Sequence, residues 1–184
     1  MKTFKYVSQL LVLLLAFNTM AMADIHDKSA SEIENDADKA LAKFYKEVAG
    51  SKAYLQKVNG YVVFPDVVEA GFFIGGKYGE GVLRIKDKSQ GYYRITAASA
   101  GMQMGATTYS LVIAITTEAA LKKFTSDDDW ENEIDVNMAA FDWNSEEELD
   151  DIDFGNGLIG FVFDSKGLLG NFSLEGTKFK KFNP

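Results

Sequence analysis

Residues 70–85 read AGFFIGGKYGEGVLRI and carry glycines at positions 71, 75, 76, 79 and 81. Glycine-rich segments either cradle phosphate groups or relieve the backbone at turns, bulges and close approaches. The GxxxxGK spacing up to Lys77 matches part of a P-loop, but Tyr78 stands where that loop requires Ser or Thr. The next residues, EGVLRI, alternate like a strand and do not open a phosphate-binding helix. We therefore interpret the glycines as positions where the backbone of a curved sheet turns, bulges or approaches another segment closely, and we expect Gly76→Val to unfold the domain.

The segments before and within this stretch predict a helix followed by strands. Apolar residues at 37, 41, 44 and 48 recur with helical spacing, so we expect a helix over residues 37–48. From residue 60 the period changes to two, which predicts a strand ended by Pro65. Residues 71–76 and 80–86 are then expected to pair, with a glycine turn between them.

The segments after it predict more strands and one short helix. YYRIT and YSLVIAIT are strand patterns, and residues 117–124 predict the short helix. GLIGFVF, DSKG and LLGNFSLEG predict a hairpin with a turn from Asp164 to Gly167. The expected fold class is α+β, with a strongly curved, mainly antiparallel sheet or barrel-like core, one longer N-terminal helix and a short second helix.

Residues 1–23 have the pattern of a secretory signal peptide. Two lysines precede an apolar run over residues 10–17, and Ala21-Met22-Ala23 is a small-x-small cleavage signal before Asp24. We expect a cleaved signal peptide over 1–23, a flexible segment over 24–36 and a single domain over 37–184. No cysteine follows for lipid attachment, and no later segment has the length of a membrane span. The expected location is the periplasm or the cell exterior.

Composition narrows the function classes. Without residues 1–23 the chain keeps 17 of its 19 basic residues and all 27 acidic ones, a net charge of about −10, which argues against a nucleic-acid partner. The chain has no Cys, and its one His, His26, lies in the polar N-terminal segment. Nucleophilic triads and transition-metal sites need such residues. We therefore expect no enzyme activity, no catalytic residue and no cofactor.

An acidic segment spans residues 127–153, with thirteen of the 27 acids and no Lys or Arg. It is interpreted first as a solvated face that keeps the protein soluble. Asp127–Asp129 and DDIDFGNG (150–157) leave calcium binding open, although the latter departs from an EF-hand at Gly155 and Val162. An envelope protein partner that binds this segment is the other alternative.

Two groups of lysines are the candidate binding residues. On the first helix, three lysines lie at i, i+4 and i+7, opposite its apolar face; near the C-terminus, three more alternate with Phe179 and Phe182. Each lysine near an anionic bilayer contributes about 1 kcal/mol, so the groups predict weak peripheral attachment with insertion of Phe179 or Phe182. An ordinary solvated surface is the alternative. The candidates are Lys39, Lys43, Lys46, Lys178, Lys180 and Lys181.

Three blocks of sequence carry a family resemblance. They are VVFPDVVEAGFFIGGKYGEGVL from residue 62, GMQMG from residue 101 and GLLGNFSLEG from residue 167. In order and approximate spacing, from about residue 37 to 176, they resemble the SYLF domain family. Its members are lipid-binding modules first known from actin-associated eukaryotic proteins, with exported bacterial relatives. The resemblance implies binding to anionic phospholipid head groups.

The sequence thus predicts an exported, non-enzymatic, peripheral phospholipid-binding module that recognises anionic head groups through its lysines. The alternative is an envelope interaction or calcium-binding structural module that uses residues 127–153. Exchange of Lys39, Lys43 and Lys46 for Glu separates the two, because it weakens lipid binding and spares the acidic segment.

Overall fold

A computed structural model describes residues 27–126, 129–131, 137–139, 157–166, 174 and 176–184, with backbone alone at 72–74, 99–105, 129–131, 137–139 and 166. Within these described residues, three helices and six strands follow one another. They are α1 (Ala30–Glu47), α2 (Ser51–Lys57), β1 (Gly60–Ile85), β2 (Lys88–Ile115), α3 (Glu118–Ser126), β3 (Asp129–Glu131), β4 (Asn137–Ala139), β5 (Leu158–Lys166) and β6 (Thr177–Phe182). Among the described helices, none has the length and apolar character of a membrane span.

Helix α1 begins at Ala30, earlier than the apolar pattern predicted. Ser29 and Glu32 form a capping box, which satisfies the free N–H groups of the first turn. Residues 30–36, expected to be part of a flexible segment, therefore belong to the helix. The chain leaves α1 through Gly50, whose φ of 77° lies in the left-handed region that favours glycine.

Strands β1 and β2 form one long antiparallel hairpin, of 26 and 28 residues. The predicted pairing of residues 71–76 with 80–86 through a glycine turn is wrong, because both segments belong to β1 and pair with β2. The turn that joins β1 to β2 lies at Lys86 and Asp87, whose φ values are 51° and 60°. The strand also continues through Pro65, where the register shifts between Phe64 and Val67, since a bulge tolerates the missing N–H of proline.

This two-stranded ribbon is folded back on itself. Glu69 and Lys77 are eight residues apart on β1, a distance of about 26 Å along a straight strand. Their side chains nevertheless form an ion pair with Nζ and Oε2 3.6 Å apart. The strand therefore reverses direction between them. We call residues 70–76 of β1, with residues 98–106 of β2 that pair with them, the apex of the ribbon.

Glycine permits the close contact of the two arms of β1. A Cβ on Gly81 would collide with the carbonyl oxygen of Val63 and lie 2.6 Å from Cδ1 of Phe64. A Cβ on Gly79 would lie 2.9 Å from the carbonyl oxygen of Asp66. Gly76, at the apex, is exposed and would meet the Ala97 carbonyl oxygen at an ordinary 3.5 Å. At Gly76 the space for a Cβ gives no steric reason for unfolding, so the expected unfolding of Gly76→Val stays a prediction; Gly81 is the position without room for a Cβ.

The remaining strands complete a curled sheet around β2. Residues 108–115 of β2 pair with β5, and residues 92–97 pair with β6, both antiparallel. β3 adds to β6 and β4 adds in parallel to β5, so the order is β3-β6-β2-β5-β4 with β1 on the other side of β2. The α+β class and the curved, mainly antiparallel sheet are thereby confirmed.

The predicted C-terminal hairpin is only partly described. β5 extends through most of the expected turn to Lys166, and Asp164 has a φ of 52°. Most of the expected second strand, at 167–173, lies outside the described residues. β6 pairs with β2 rather than with β5.

Two apolar clusters stabilise this arrangement. The first lies under α1 and α2, where Phe44 packs against Phe161 and Phe163 with ring centroids 5.4 and 5.1 Å apart. The second lies inside the fold of the ribbon and is closed by α3, whose Phe124 is 4.7 Å from Tyr93 between ring centroids. Burial of aromatic side chains of this size is the largest favourable contribution to such a core.

Candidate functional site

The lysines of α1 differ in how their charges are compensated. Lys39 pairs with Asp36 at 3.1 Å, although 67% of its side chain is exposed. Lys43 pairs with Asp164 on β5, and this contact raises the pKa of Lys43. Lys46 is exposed and makes no ion pair with the described residues. Lys43 is therefore a tether between α1 and β5, and Lys46 is the lysine of this group most open to a ligand.

The lysines of β6 are held on a rigid strand. Side chains alternate between the core and solvent: Thr177 and Phe179 are buried, whereas Lys178 and Lys180 are exposed. Lys181 is exposed as well. Because Phe179 fixes the strand to the core, the ammonium groups beside it are displayed at a defined place on the surface.

The two expected membrane-inserting aromatic residues are engaged in the protein. Phe179 is 4% exposed and its ring centroid lies 5.9 Å from that of Phe64. Phe182 is partly buried against the first cluster and lies 4.2 Å beneath the guanidinium group of Arg94. The prediction that Phe179 inserts into a bilayer is wrong, because its exposure would open the core; Phe182 is likewise committed to a cation–π contact.

The structure separates the six candidate lysines into two groups. Lys43 contacts β5, whereas the C-terminal lysines lie on β6, and these strands pair with different halves of β2. Acidic positions adjoin the second group, because Asp129 pairs in register with Lys180 and Glu131 with Lys178.

A charged network that the sequence did not reveal joins α1 to the ribbon. Arg84 is 8% exposed and donates to Glu34 at 2.7 Å, with Asp38 at 2.8 Å on its other amino group. Burial alone would raise the pKa of Glu34, but hydrogen bonds from Ser89, Arg84 and Tyr92 outweigh it and hold this pKa below its ordinary value. In the sequence, Arg84 alternates with the apolar Leu83 and Ile85, and this pattern gives no sign that a helix covers Arg84.

A second network fixes the residues before α1. The backbone N–H of Lys28 donates to Glu80 at 3.0 Å, and Arg94 contacts both Glu80 and Asp27, at 3.0 and 2.7 Å. The Lys28 ammonium also pairs with Asp36 at 2.7 Å. These carboxylates are satisfied by the protein itself, so the network positions the helix and leaves no open group for a ligand.

Near the apex, Lys77 is a buried cation. Its side chain is 5% exposed and pairs with Glu69, and its Nζ lies 5.9 Å from the ring centroid of Tyr109. Desolvation lowers the pKa of Lys77, although Glu69 opposes this shift. The pair joins the two arms of β1 on either side of the apex.

The calcium alternative falls mainly outside the described residues. Asp127, Asp128 and residues 150–156 are not described, and Asp129 is described by its backbone. Within the described part, no group of three or more acidic or His side chains has the arrangement of a metal site.

Comparison with known proteins bears on the second half of the chain. The family model described as "Ysc84: Las17-binding protein actin regulator" matches residues 96–183. No curated protein matches the chain. The matched range contains the second and third blocks of the resemblance, at 101–105 and 167–176, whereas the first block precedes it. The predicted resemblance to the SYLF family is thereby confirmed over residues 96–183, the range that matches the Ysc84 (SYLF) family model.

Proposed function

We propose that this protein is an exported, non-enzymatic module that binds anionic phospholipid surfaces peripherally. The observation that carries the proposal is the display of Lys178, Lys180 and Lys181 on β6, anchored by the buried Phe179. Lys46 and Lys39 of α1 form a second, smaller contact. The match to an interaction-domain family supports a binding role rather than a catalytic one.

The expected attachment is weak and sensitive to salt. Three lysines near an anionic surface contribute about 3 kcal/mol together, at about 1 kcal/mol each. The net charge of about −10 expected after removal of residues 1–23 opposes approach. Screening over about 8 Å at physiological ionic strength makes the local lysines count for more than the total charge.

Flotation with vesicles tests the lysines of β6. We expect the chain over residues 24–184 to float with vesicles that carry phosphatidylglycerol or phosphatidic acid, and less so at higher salt. Lys178→Glu/Lys180→Glu/Lys181→Glu is expected to lower the bound fraction at least tenfold, since it replaces attraction by repulsion at three positions.

The matched control changes the same total charge elsewhere. Lys52, Lys122 and Lys123 are exposed on α2 and α3, and their exchange for Glu is expected to lower binding less than threefold. Equal loss in the two triple variants would mean that total charge, not the β6 surface, governs binding. Absence of flotation on anionic vesicles would refute the proposed function.

A protein partner is the second candidate. The family description names binding to Las17 and actin regulation for its members, and the sheet ends at β3, which carries Asp129 and Glu131. An envelope protein that binds residues 127–153 would remain bound when the β6 lysines are exchanged. Export itself is tested by the N-terminal sequence of the protein recovered from cell fractions, which is expected to start at Asp24.

A further inference from the structure

The apex of the ribbon differs in composition from the rest of the chain. A quarter of all residues are charged, so sixteen residues would carry about four charges, but the sixteen at 70–76 and 98–106 carry none. They include large apolar residues on both strands of the ribbon: Phe72, Phe73 and Ile74 of β1, and Met102 and Met104 of β2. The opposite end of the ribbon, at Lys86–Lys88, is charged throughout.

The apex also projects beyond the contacts that hold the two arms together. Among the side chains that the structure describes, the ion pair between Glu69 and Lys77 is the contact between the arms nearest the apex. Seven residues of β1 lie beyond it and must go out and return, so the apex reaches about 10–13 Å past this pair. That reach is comparable with the depth of about 5–10 Å at which peripheral segments enter the boundary between head groups and acyl chains.

Exposure at the base of the apex agrees with this view. Among the side chains that the structure describes, Val68 is the one large hydrophobic group that is exposed, at 46%. The small residues Ala70, Ala98 and Ala106 are exposed as well. These side chains at the base of the apex are thus exposed and uncharged, which continues the composition of the apex toward the protein body.

Lysine positions lie just beyond both ends of the apex segment of β2. Lys178 pairs with Thr96, two residues before the apex begins on β2, and Lys166 pairs with Thr108, two residues after it ends. Lysines placed beside an apolar segment are the arrangement that places cations among head groups while the apolar part enters the bilayer. This register joins the apex to the lysine surface of β6.

We propose that the apex is the segment of this protein that inserts into the lipid bilayer, with Lys178 and Lys166 at the head-group level. The proposal rests on the proposed function and names the part of the molecule that enters the membrane. It also replaces the aromatic insertion expected at Phe179 and Phe182. Attachment then has two components: a salt-sensitive one from β6 and a salt-resistant one from the apex.

Site-specific fluorescence tests insertion, because the chain contains no cysteine. A single environment-sensitive label is placed at Ala98→Cys or Ala106→Cys on the apex, and at Ala119→Cys on α3 as a control; all three positions are exposed. With anionic vesicles, we expect the apex labels to shift to the blue and to be quenched by nitroxide-bearing lipids, while the Ala119→Cys label remains in water.

A pair of charge variants tests how much the apex contributes to the free energy of vesicle binding. Ala70 and Ala106 face each other in register, and Ala70→Glu/Ala106→Glu is expected to lower the vesicle partition coefficient at least tenfold and to abolish the part of binding that survives high salt. Ala42→Glu/Ala119→Glu, at exposed helix positions, makes the same charge change with an expected loss below threefold. Circular dichroism and urea midpoints confirm that each variant folds.

The outcomes separate this inference from the proposed function. A protein that floats while its apex labels stay in water, or whose apex charge variant floats like the control, retains the proposed function and overturns apex insertion. Insertion of the apex label that persists after exchange of the three β6 lysines supports the apex and refutes the lysine mechanism. Absence of flotation on both anionic and neutral vesicles overturns both. Protection of the apex labels by an added envelope extract, without a shift on vesicles, assigns the apex to a protein partner instead.

Discussion

The part of the ribbon where the two arms of β1 contact each other, which we call the base, differs from the apex in packing and in charge. At the base, the two arms of β1 touch so closely that Gly81 has no room for a side chain, and Arg84 is buried with its charge compensated by α1. At the apex, Gly76 has space around it and no charged residue is present. A continuous strand thus contains one segment selected for packing and one whose composition suits contact with another surface.

The sharpest way to test this contrast is to add one methyl group at each end. Gly81→Ala is expected to lower the free energy of unfolding by about 3 kcal/mol or more, because its Cβ collides with the Val63 backbone and the Phe64 ring, neither of which has a free direction to move. Gly76→Ala is expected to change it by less than about 1 kcal/mol, since its nearest contact is ordinary. Urea unfolding measures both.

If the two variants lose the same stability, the close approach at Gly81 does not distinguish the base from the apex. A stable Gly81→Ala protein would show that the arms of β1 separate without cost.

Loss of the buried cation at the base gives the next largest effect. Arg84→Met is expected to lower the free energy of unfolding by about 2 kcal/mol, because Glu34 and Asp38 lose their partner while the apolar part of the side chain is retained. The estimate lies below that for a fully buried pair, since Asp38 is 67% exposed. Chemical denaturation measures it.

Lys88→Met is the matched control, because Lys88 is exposed at the charged end of the ribbon and its loss is expected to cost less than about 0.5 kcal/mol. A similar cost for both variants would argue that Arg84 contributes through general charge rather than through its contacts with α1.

Acid should weaken the base more than the apex. The pKa of Glu34 is held below its ordinary value by hydrogen bonds from Ser89, Arg84 and Tyr92 despite burial, and that of Asp36 is lowered chiefly by its hydrogen bond to Lys28. Groups with a lowered folded-state pKa stabilise the fold above their unfolded pKa, and this contribution is lost as pH falls through the folded value.

We therefore expect stability to decrease by about 1 kcal/mol from these two groups as the pH falls below about 4.5, a figure reduced by solvent screening at these partly exposed sites. Urea midpoints at pH 7, 4 and 3 measure the decrease. Glu34→Gln should reduce the pH dependence; an unchanged profile would remove Glu34 from the network.

The sequence predicted the elements better than the way they join. The spacing of apolar residues located α1, α3 and most strand residues. The alternation in TKFKKF correctly put Lys178 and Phe179 on opposite faces of the strand. Phe179, however, was expected to insert into a membrane and is buried in the core. A glycine turn was predicted between residues 76 and 80, whereas the turn that joins β1 to β2 uses Lys86 and Asp87 at positive φ and contains no glycine to mark it.

The candidate site could be predicted only in part, because several of its side chains have partners that are distant in the sequence. Lys43 looked like an open lysine because its partner, Asp164, lies on a distant strand. Arg84 gave no sign of burial in the sequence because Glu34, which compensates its charge, lies fifty residues earlier in the chain. Neither contact leaves a periodic signal, since an ion pair between distant residues depends on the assembled fold.

The pairing of β2 with both β5 and β6 imposes an order on folding while the chain is being synthesised. β2 is complete at Ile115, but the strands along its second edge begin at Leu158 and Thr177. Until those residues leave the ribosome, the ribbon is a two-stranded hairpin with an unpaired edge, which is marginally stable in water. Stable tertiary structure therefore waits for the synthesis of β6.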